Sequence, residues 1–267
     1  MRNYSLAFLT ASSQTPPRMV AMAAQLGYRY VGLRLLPNTR GGPYQPLLGD
    51  AATERETLAA MRDTNVAVFD LEIIRIGTGF DPRTYEDFLE TGARLKARSV
   101  LVACDDTDVP RLTDSYARLC ELMLQYGLNA DVEFMPWTAV PDAASALLLY
   151  KAAGSPPNGG ILVDALHAGR SCTTLEDLAS LPRKALHYAQ VCDAQAGTHF
   201  TTDELIWTAR SERLLPLEGN IDLTGIFGSL PQDLPLSVEI PNDGRVRQVG
   251  ELEWSRQALV ASRQALG

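Results

Sequence analysis

The stretch SVLVACDDTDVPRLTDSYARLCELMLQYGLNADVEF, residues 99–134, decides the fold. SVLVAC (99–104) is an unbroken apolar run without alternation, as expected of a strand buried on both faces of a parallel sheet. DSYARLCELMLQYG (114–127) then repeats apolar residues at helical spacing and closes on Gly127, where a left-handed C-cap is wanted. DVEF (131–134) opens a second buried strand. Strand, amphipathic helix and strand in this order make a right-handed parallel crossover.

Outward from this unit the pattern recurs in both directions. Strand-like runs are predicted at 4–9 (YSLAFL), 30–35 (YVGLRL), 66–74 (VAVFDLEII), 160–165 (GILVDA), 188–192 (YAQVC) and 236–240 (LSVEI). Between and after them lie helix-like segments: PRMVAMAAQLG, ATERETLAAMRDT, YEDFLETGARLKA, DAASALLLYKAAG, TLEDLASLP and a closing WSRQALVASRQALG. Gly27 and Gly154 end two of these helices as Gly127 does. Eight strands close a (β/α)8 TIM barrel, and a length of 267 residues suits one such domain spanning 1–267. A doubly wound open sheet is the competing architecture, but no GxGxxG turn follows the first strand. The longest irregular stretch runs from Ala194 to about Asn220 and carries the helix-like TDELIWTARSER; at the catalytic face of a barrel such an excursion is expected to be functional.

Composition narrows the function. With 46% hydrophobic and 21% charged residues the chain can bury a core. A net charge of −8 repels polyanions, so no nucleic acid partner is expected. No run of about 18 apolar residues is present to cross a bilayer, and MRNYSLAFLT is too short in apolar residues for a signal peptide, so no membrane partner and a cytoplasmic location are the expectation. Cys104, Cys120, Cys172 and Cys192 contain no CxxC pair and read as free thiols. Neither a P-loop nor a GxSxG elbow occurs, which removes kinase and serine hydrolase readings, and no glycine-rich phosphate cradle is evident after the last two strands.

Four apolar runs in the second half end in a residue able to hold a divalent metal: ADVEF, ILVDALH, YAQVCD and LSVEIPN. Glu133, Asp164, Gln190 and Glu239 fall at the carboxyl ends of strands five to eight, so a barrel would bring them to one mouth across sequence gaps of 31, 26 and 49 residues. Any one of them alone is as readily a helix cap or a buried amide. Together they form an oxygen-rich set suited to one divalent ion, Mn²⁺ first, with Mg²⁺ or Co²⁺ as alternatives.

These residues resemble, over nearly the whole chain, the xylose-isomerase-like superfamily of sugar isomerases and epimerases. The resemblance implies metal ligation by a Glu, an Asp, a His or Gln and a second Glu, which fall on Glu133, Asp164, Gln190 and Glu239. Gln190 in the third place is similar to the hydroxypyruvate isomerase branch. The family's Asp-x-x-His pattern appears as Asp164 and His167 in DALH, which implies that His167 contacts a substrate oxygen or supports the site. RSERLLPLEGNIDL resembles the family's Arg-x-x-Pro-Gly-Glu-Gly segment, implying that Arg213 and Glu218 face substrate, with Leu217 in the place of the glycine. The endonuclease IV type of DNA repair relative carries several histidines on early strands, and here none precedes His167. The resemblance further implies a homodimer.

The chemistry then expected is isomerisation or epimerisation of a small hydroxy-carbonyl compound. A proton leaves the carbon beside a carbonyl and returns to a neighbour, with the enediolate charge held by the cation and Glu133 and Glu239 as the acid/base pair. Arg34 and Glu72, at earlier strand ends, would also face the mouth, Arg34 offering forked donors to substrate and Glu72 an alternative ion pair with Arg34 or Arg75. Phe8, Phe134 and Trp137 are candidates for the pocket wall, and His187 and His199 are read as incidental. A metal-dependent lyase that dehydrates a dehydroshikimate-like acid, with His167 as a third acid, is the alternative reading; a noncatalytic carbohydrate-binding barrel is the other.

Overall fold

Eight parallel strands pair in the order β1-β2-β3-β4-β5-β6-β7-β8 and close, β1 lying beside β8 through Tyr4↔Leu236, Ser5↔Ser237 and Leu6↔Val238. The computed structural model describes every residue except Met1, Arg40 and Thr198. The strands are β1 Tyr4–Leu6, β2 Tyr30–Arg34, β3 Ala67–Ile76, β4 Ser99–Cys104, β5 Asn129–Glu133, β6 Gly159–Asp164, β7 Ala189–Val191 and β8 Leu236–Val238. Around them run α1 Pro16–Leu26, α2 Ala51–Thr64, α3 Glu86–Arg94, α4 Val109–Gln125, α5 Ala143–Ala152, α6 Ala165–Arg170, α7 Leu175–Ala179, α8 Thr202–Ser211, α9 Leu223–Gly228, α10 Asp243–Val249 and α11 Glu251–Leu266. This is the single-domain (β/α)8 barrel expected from the strand count. Among the described residues no helix is long and apolar enough to cross a membrane.

Two apolar layers hold the barrel together. The larger lies between strands and helices, where Val100, Val102, Val132, Ile161, Val163 and Val191 meet helix residues such as Leu119, Met123 and Tyr150. The smaller fills the interior, with Tyr30, Phe69, Leu101, Leu162 and Tyr188 packed ring to ring or ring to methyl; Phe69 stands 5.2 Å from Tyr30 and 5.1 Å from Tyr188 between ring centroids. Strand alternation therefore sends every second residue inward and leaves the last inward residue of each strand at the carboxyl-end mouth. Gly32 is needed in this interior, since a Cβ there would stand 2.8 Å from the buried Asp70 carboxylate.

Several element bounds differ from the periodicity reading. The first strand stops at Leu6, because Phe8–Ala11 coils into a 3₁₀ turn, and the last stops at Val238. β3 runs two residues further than predicted, to Ile76, and its register slips against β2 between Val31 and Gly32 and against β4 between Leu71 and Ile74. α4 begins five residues before the predicted helix, capped by Asp108, whose side chain accepts from the Arg111 amide. α6, α9 and α10 span only six or seven residues each, too short for a period to show. His187 is structural: its Nδ1 lies 2.6 Å from Asp131 Oδ1 in the interior, while His199 is exposed.

Candidate metal centre at the barrel mouth

β5, β6, β7 and β8 deliver Glu133, Asp164, Gln190 and Glu239 to one place, all four buried. The contacts among them form a chain. The Gln190 amide faces Glu133 Oε1 and Asp164 Oδ2, at 2.9 and 3.3 Å when its nitrogen is turned toward them. With its oxygen turned the same way, three oxygens converge and need a proton on Glu133 or a cation between them. Asp164 in turn is held by Arg213, whose Nη1 lies 2.7 Å from Oδ2, while Nη2 of the same guanidinium reaches Glu239 Oε2 at 2.8 Å.

His167 completes the cluster from the first turn of α6. Asp164 caps that helix by accepting from the His167 amide at 3.1 Å, which fixes the imidazole over the mouth. His167 Nε2 lies 3.5 Å from Glu133 Oε1, its Nδ1 has no protein partner, and Trp137 meets it edge-on at 5.0 Å. Donor atoms of Glu133, Asp164 and His167 all fall within 4.8 Å of one another. Sequence reasoning placed His167 on substrate; its place among the donors is a consequence of helix capping that spacing alone does not reveal.

On the other side of the mouth Arg34 and Glu72 pair with each other. Arg34 Nε and Nη2 both donate to Glu72 Oε2, at 3.0 and 2.5 Å, and the guanidinium lies over Phe8 at 4.8 Å. Glu72 Oε1 is buried without a partner. Of the predicted wall aromatics, Trp137 lines the mouth, Phe8 underlies Arg34, and Phe134 does neither: alternation after Glu133 turns it outward into the strand–helix core. Glu218 also lies elsewhere. It is an exposed partner of Arg245 at 2.8 Å, because the turn that brings Arg213 inward carries residues 215–219 back over the rim. Leu217 adopts a left-handed φ of 76°, the conformation that favours glycine, with a leucine in it.

Burial and charge set the protonation of the cluster. Burial, with the Glu239 and Asp164 charges, pushes Glu133 well above the usual carboxylate range. Burial raises Glu239 to about 8, with Arg213 opposing. For Asp164 burial also acts upward, but Arg213 and His167 outweigh it and hold the carboxyl below its ordinary value. Burial lowers His167 to about 4, so the imidazole is neutral at pH 7 and free to donate a lone pair.

Glu133, Asp164 and His167 lie close enough to share a divalent ion, with Gln190 beside the two carboxylates, whereas Glu239 is joined to Asp164 through Arg213. Four mouth carboxylates, Glu72, Glu133, Asp164 and Glu239, face three guanidinium groups not matched elsewhere, Arg34, Arg210 and Arg213, which leaves one negative charge in excess when all are ionised. The space between these groups is about 40 Å³, room for an ion and little more, and it lies against an outer cleft of about 300 Å³ that shares Leu9, Arg34, Asn38 and Arg210. Two larger clefts, about 560 and 600 Å³, sit around Arg170 and contain none of the four carboxylates, so size does not mark the chemistry here.

The excursion after β7 is anchored by a residue that sequence reasoning passed over. Asp193, buried, accepts backbone N–H bonds from Ala194, Leu217, Gly219 and Ile221 at 2.8 to 3.0 Å, and its own backbone bridges Leu214. Its carboxylate thus gathers the chain on both sides of Arg213. The only sequence signal was an aspartate two residues past a strand. Asp193→Ala is expected to lower stability by about 3 kcal/mol through the freed amides and to open residues 194–222 to limited proteolysis at temperatures where the parent resists; unchanged melting and cleavage would contradict this role.

Comparison with known proteins bears on the fold. No family model and no curated protein matches the chain. Among solved structures, the IolI protein with a bound zinc atom superposes with a TM-score of 0.79 at 16% identity, covering 100% of this chain and 98% of that one. The fold is that of the xylose-isomerase-like barrels. Other xylose-isomerase-like neighbours are a probable 3-DHS dehydratase, AsbF, from Bacillus anthracis (TM-score 0.76, 17% identity, 97% and 98% covered) and a D-allulose 3-epimerase from Methylomonas sp. in complex with D-allulose (TM-score 0.73, 14% identity, 99% and 97% covered). At these identities the xylose-isomerase-like likeness is one of fold.

Proposed function

We propose that the barrel mouth holds one divalent cation on Glu133, Asp164, Gln190 and Glu239 and isomerises or epimerises a small hydroxy-carbonyl compound by proton transfer. The observation that carries this reading is the pair of buried carboxyls, Glu133 and Glu239, raised above their ordinary range and joined through Gln190, Asp164 and Arg213. When bound, the cation would polarise the substrate carbonyl and offset the negative charge that develops on its oxygens. The carboxyls take and return the proton, since groups raised toward neutrality exchange protons with a carbon acid most readily. His167, neutral and unpartnered at Nδ1, holds a substrate oxygen. Arg213 orients Glu239 and closes the mouth against water.

A neutral His167 cannot serve as the third acid of a lyase, but the raised Glu133 and Glu239 can protonate a departing hydroxyl as readily as a carbon, so dehydration is the second reading and is separated by its product. The reading is tested by incubating the protein with Mg²⁺ and small keto sugars and hydroxy-keto acids and recording carbon-13 spectra with ultraviolet absorbance. An isomeric carbonyl compound of unchanged composition supports it; loss of water with a new conjugated absorbance would replace it by the lyase.

Cation binding is expected to depend on pH with a definite sign. Glu133 and Glu239 must lose their protons to ligate, so Mn²⁺ affinity should rise toward pH 8, about tenfold per unit for each proton displaced. The folding linkage has the same origin. A carboxyl raised from 4.5 to about 8 on folding contributes stability that is full below 4.5 and is lost as pH rises through about 8. Metal-free protein should therefore melt lower at pH 8 than at pH 5, and Mn²⁺ should stabilise it more at pH 8. Thermal scans across that range check both; a Mn²⁺ shift independent of pH would contradict the protonation states assigned.

A further inference from the structure

Among the described residues, each guanidinium around the mouth has a protein partner except one. Arg34 is matched by Glu72, Arg213 by Asp164 and Glu239, and Arg75 by Asp105, to which its Nε and Nη2 donate at 2.7 and 2.6 Å, with Asn38 taking Nη1 at 2.9 Å. Arg210 has neither an ion pair nor a hydrogen bond among the described residues, yet it lines both the small inner space beside Glu133 and Glu239 and the outer cleft above it. The one acidic residue on the outer cleft wall, Asp243, makes no ion pair with it.

The backbone of Arg210 is set by its neighbours, while its side chain is exposed to the cleft. It lies in the last turn of α8, between buried Ala209, whose carbonyl accepts from Arg213 Nε at 2.9 Å, and the strand-like return that carries Arg213 into the mouth. Partial burial first, and then the neighbouring Arg75 and Arg34, disfavour its own charge, which a bound anion would relieve. An arginine left uncompensated beside other cations, in a cleft that leads to the reacting groups, is the arrangement that recognises a carboxylate or phosphate by forked hydrogen bonds.

We propose that the substrate is an anion, a small hydroxy-carbonyl compound ending in a carboxylate or phosphate, and that Arg210 is the residue that binds this group and so selects it over neutral sugars. This rests on the mouth being the reaction site. It adds a division of labour: the carboxyls and their cation handle the carbonyl end, and Arg210 holds the far end from the wall of the outer cleft.

The test uses three unreactive probes on the same three-carbon chain: propane-1,3-diol, 3-hydroxypropionate and 3-hydroxypropyl phosphate. Their affinity for the full chain is measured by calorimetry with Mg²⁺ and again after EDTA. At least one anionic probe is expected to bind ten or more times more tightly than the diol under both conditions, with the better of the two identifying carboxylate or phosphate. Arg210→Gln should reduce that advantage to less than twofold without changing the melting temperature, and Arg210→Lys should restore part of it. Equal binding of all three probes, no binding of any, or an advantage that survives Arg210→Gln would overturn the assignment. Failure of the protein to bind Mg²⁺ at all, with anion selectivity intact, would instead count against the metal-dependent reading while leaving Arg210 as an anion site.

Discussion

Glu239→Gln is expected to reduce turnover at least a thousandfold while the protein still folds. Glutamine keeps the shape and an oxygen for Arg213 Nη2, now 2.8 Å from Glu239 Oε2, so the buried guanidinium loses a charge but not a hydrogen-bond acceptor, and Asp164 continues to pair with it. What disappears is the proton-accepting group, a contribution of about 10²–10⁴, together with one anionic ligand of the cation. Glu133→Gln should behave alike from the opposite side of the mouth. The readouts are the initial rate and the Mn²⁺ dissociation constant, with melting temperature as the control. More than a tenth of the parent rate in both variants would remove the carboxyls from the chemistry.

Arg213→Met carries the second large effect, and it acts on stability. Arg213 is nearly inaccessible, and its guanidinium answers both Asp164 and Glu239 while donating to the Ala209 and Glu239 carbonyls. Removing one partner of a buried ion pair costs about 3–5 kcal/mol, because the remaining carboxylates are left without a counter-ion. Methionine fills much of the volume and supplies no charge. The metal-free variant should melt well below the parent, most clearly above pH 7, where Glu239 is losing its proton. Mn²⁺ should then recover most of the loss and bind the variant more tightly than the parent, since the guanidinium competes for the same carboxylate oxygens. Weaker Mn²⁺ binding in the variant would show that Arg213 supports the cation rather than competing with it.

Much of the barrel was legible because its signals are local. SVLVAC, GILVDA and the amphipathic segment of α4 each announce their element within one window, and the left-handed C-cap at Gly27 with φ 86° ends α1 where the glycine stands. The short first and last strands were overestimated because residues past Leu6 and Val238 are apolar for another reason: they pack around the mouth and beneath α11. Strand ends gave Glu133, Asp164, Gln190 and Glu239; the barrel sets Gln190 against Glu133 and Asp164 and links Glu239 to Asp164 through Arg213. How they are shared out was not legible, since Arg213 reaches Asp164 from 49 residues away and depends on Asp193 to turn the intervening chain. The same holds for Glu218, whose spacing within the Arg–Pro segment is right while its side chain points to Arg245. Pairing across loops is decided by tertiary contacts, and no local period records them.

The most direct measurement is solvent deuterium incorporation, followed by mass spectrometry, at the carbon beside the carbonyl of dihydroxyacetone and hydroxypyruvate in protein stripped of metal and then restored with Mn²⁺. The account predicts incorporation at the rate of the restored protein only, lost in Glu133→Gln and Glu239→Gln. Incorporation that proceeds equally after EDTA, or that survives both substitutions, would contradict a metal-dependent proton transfer at this mouth.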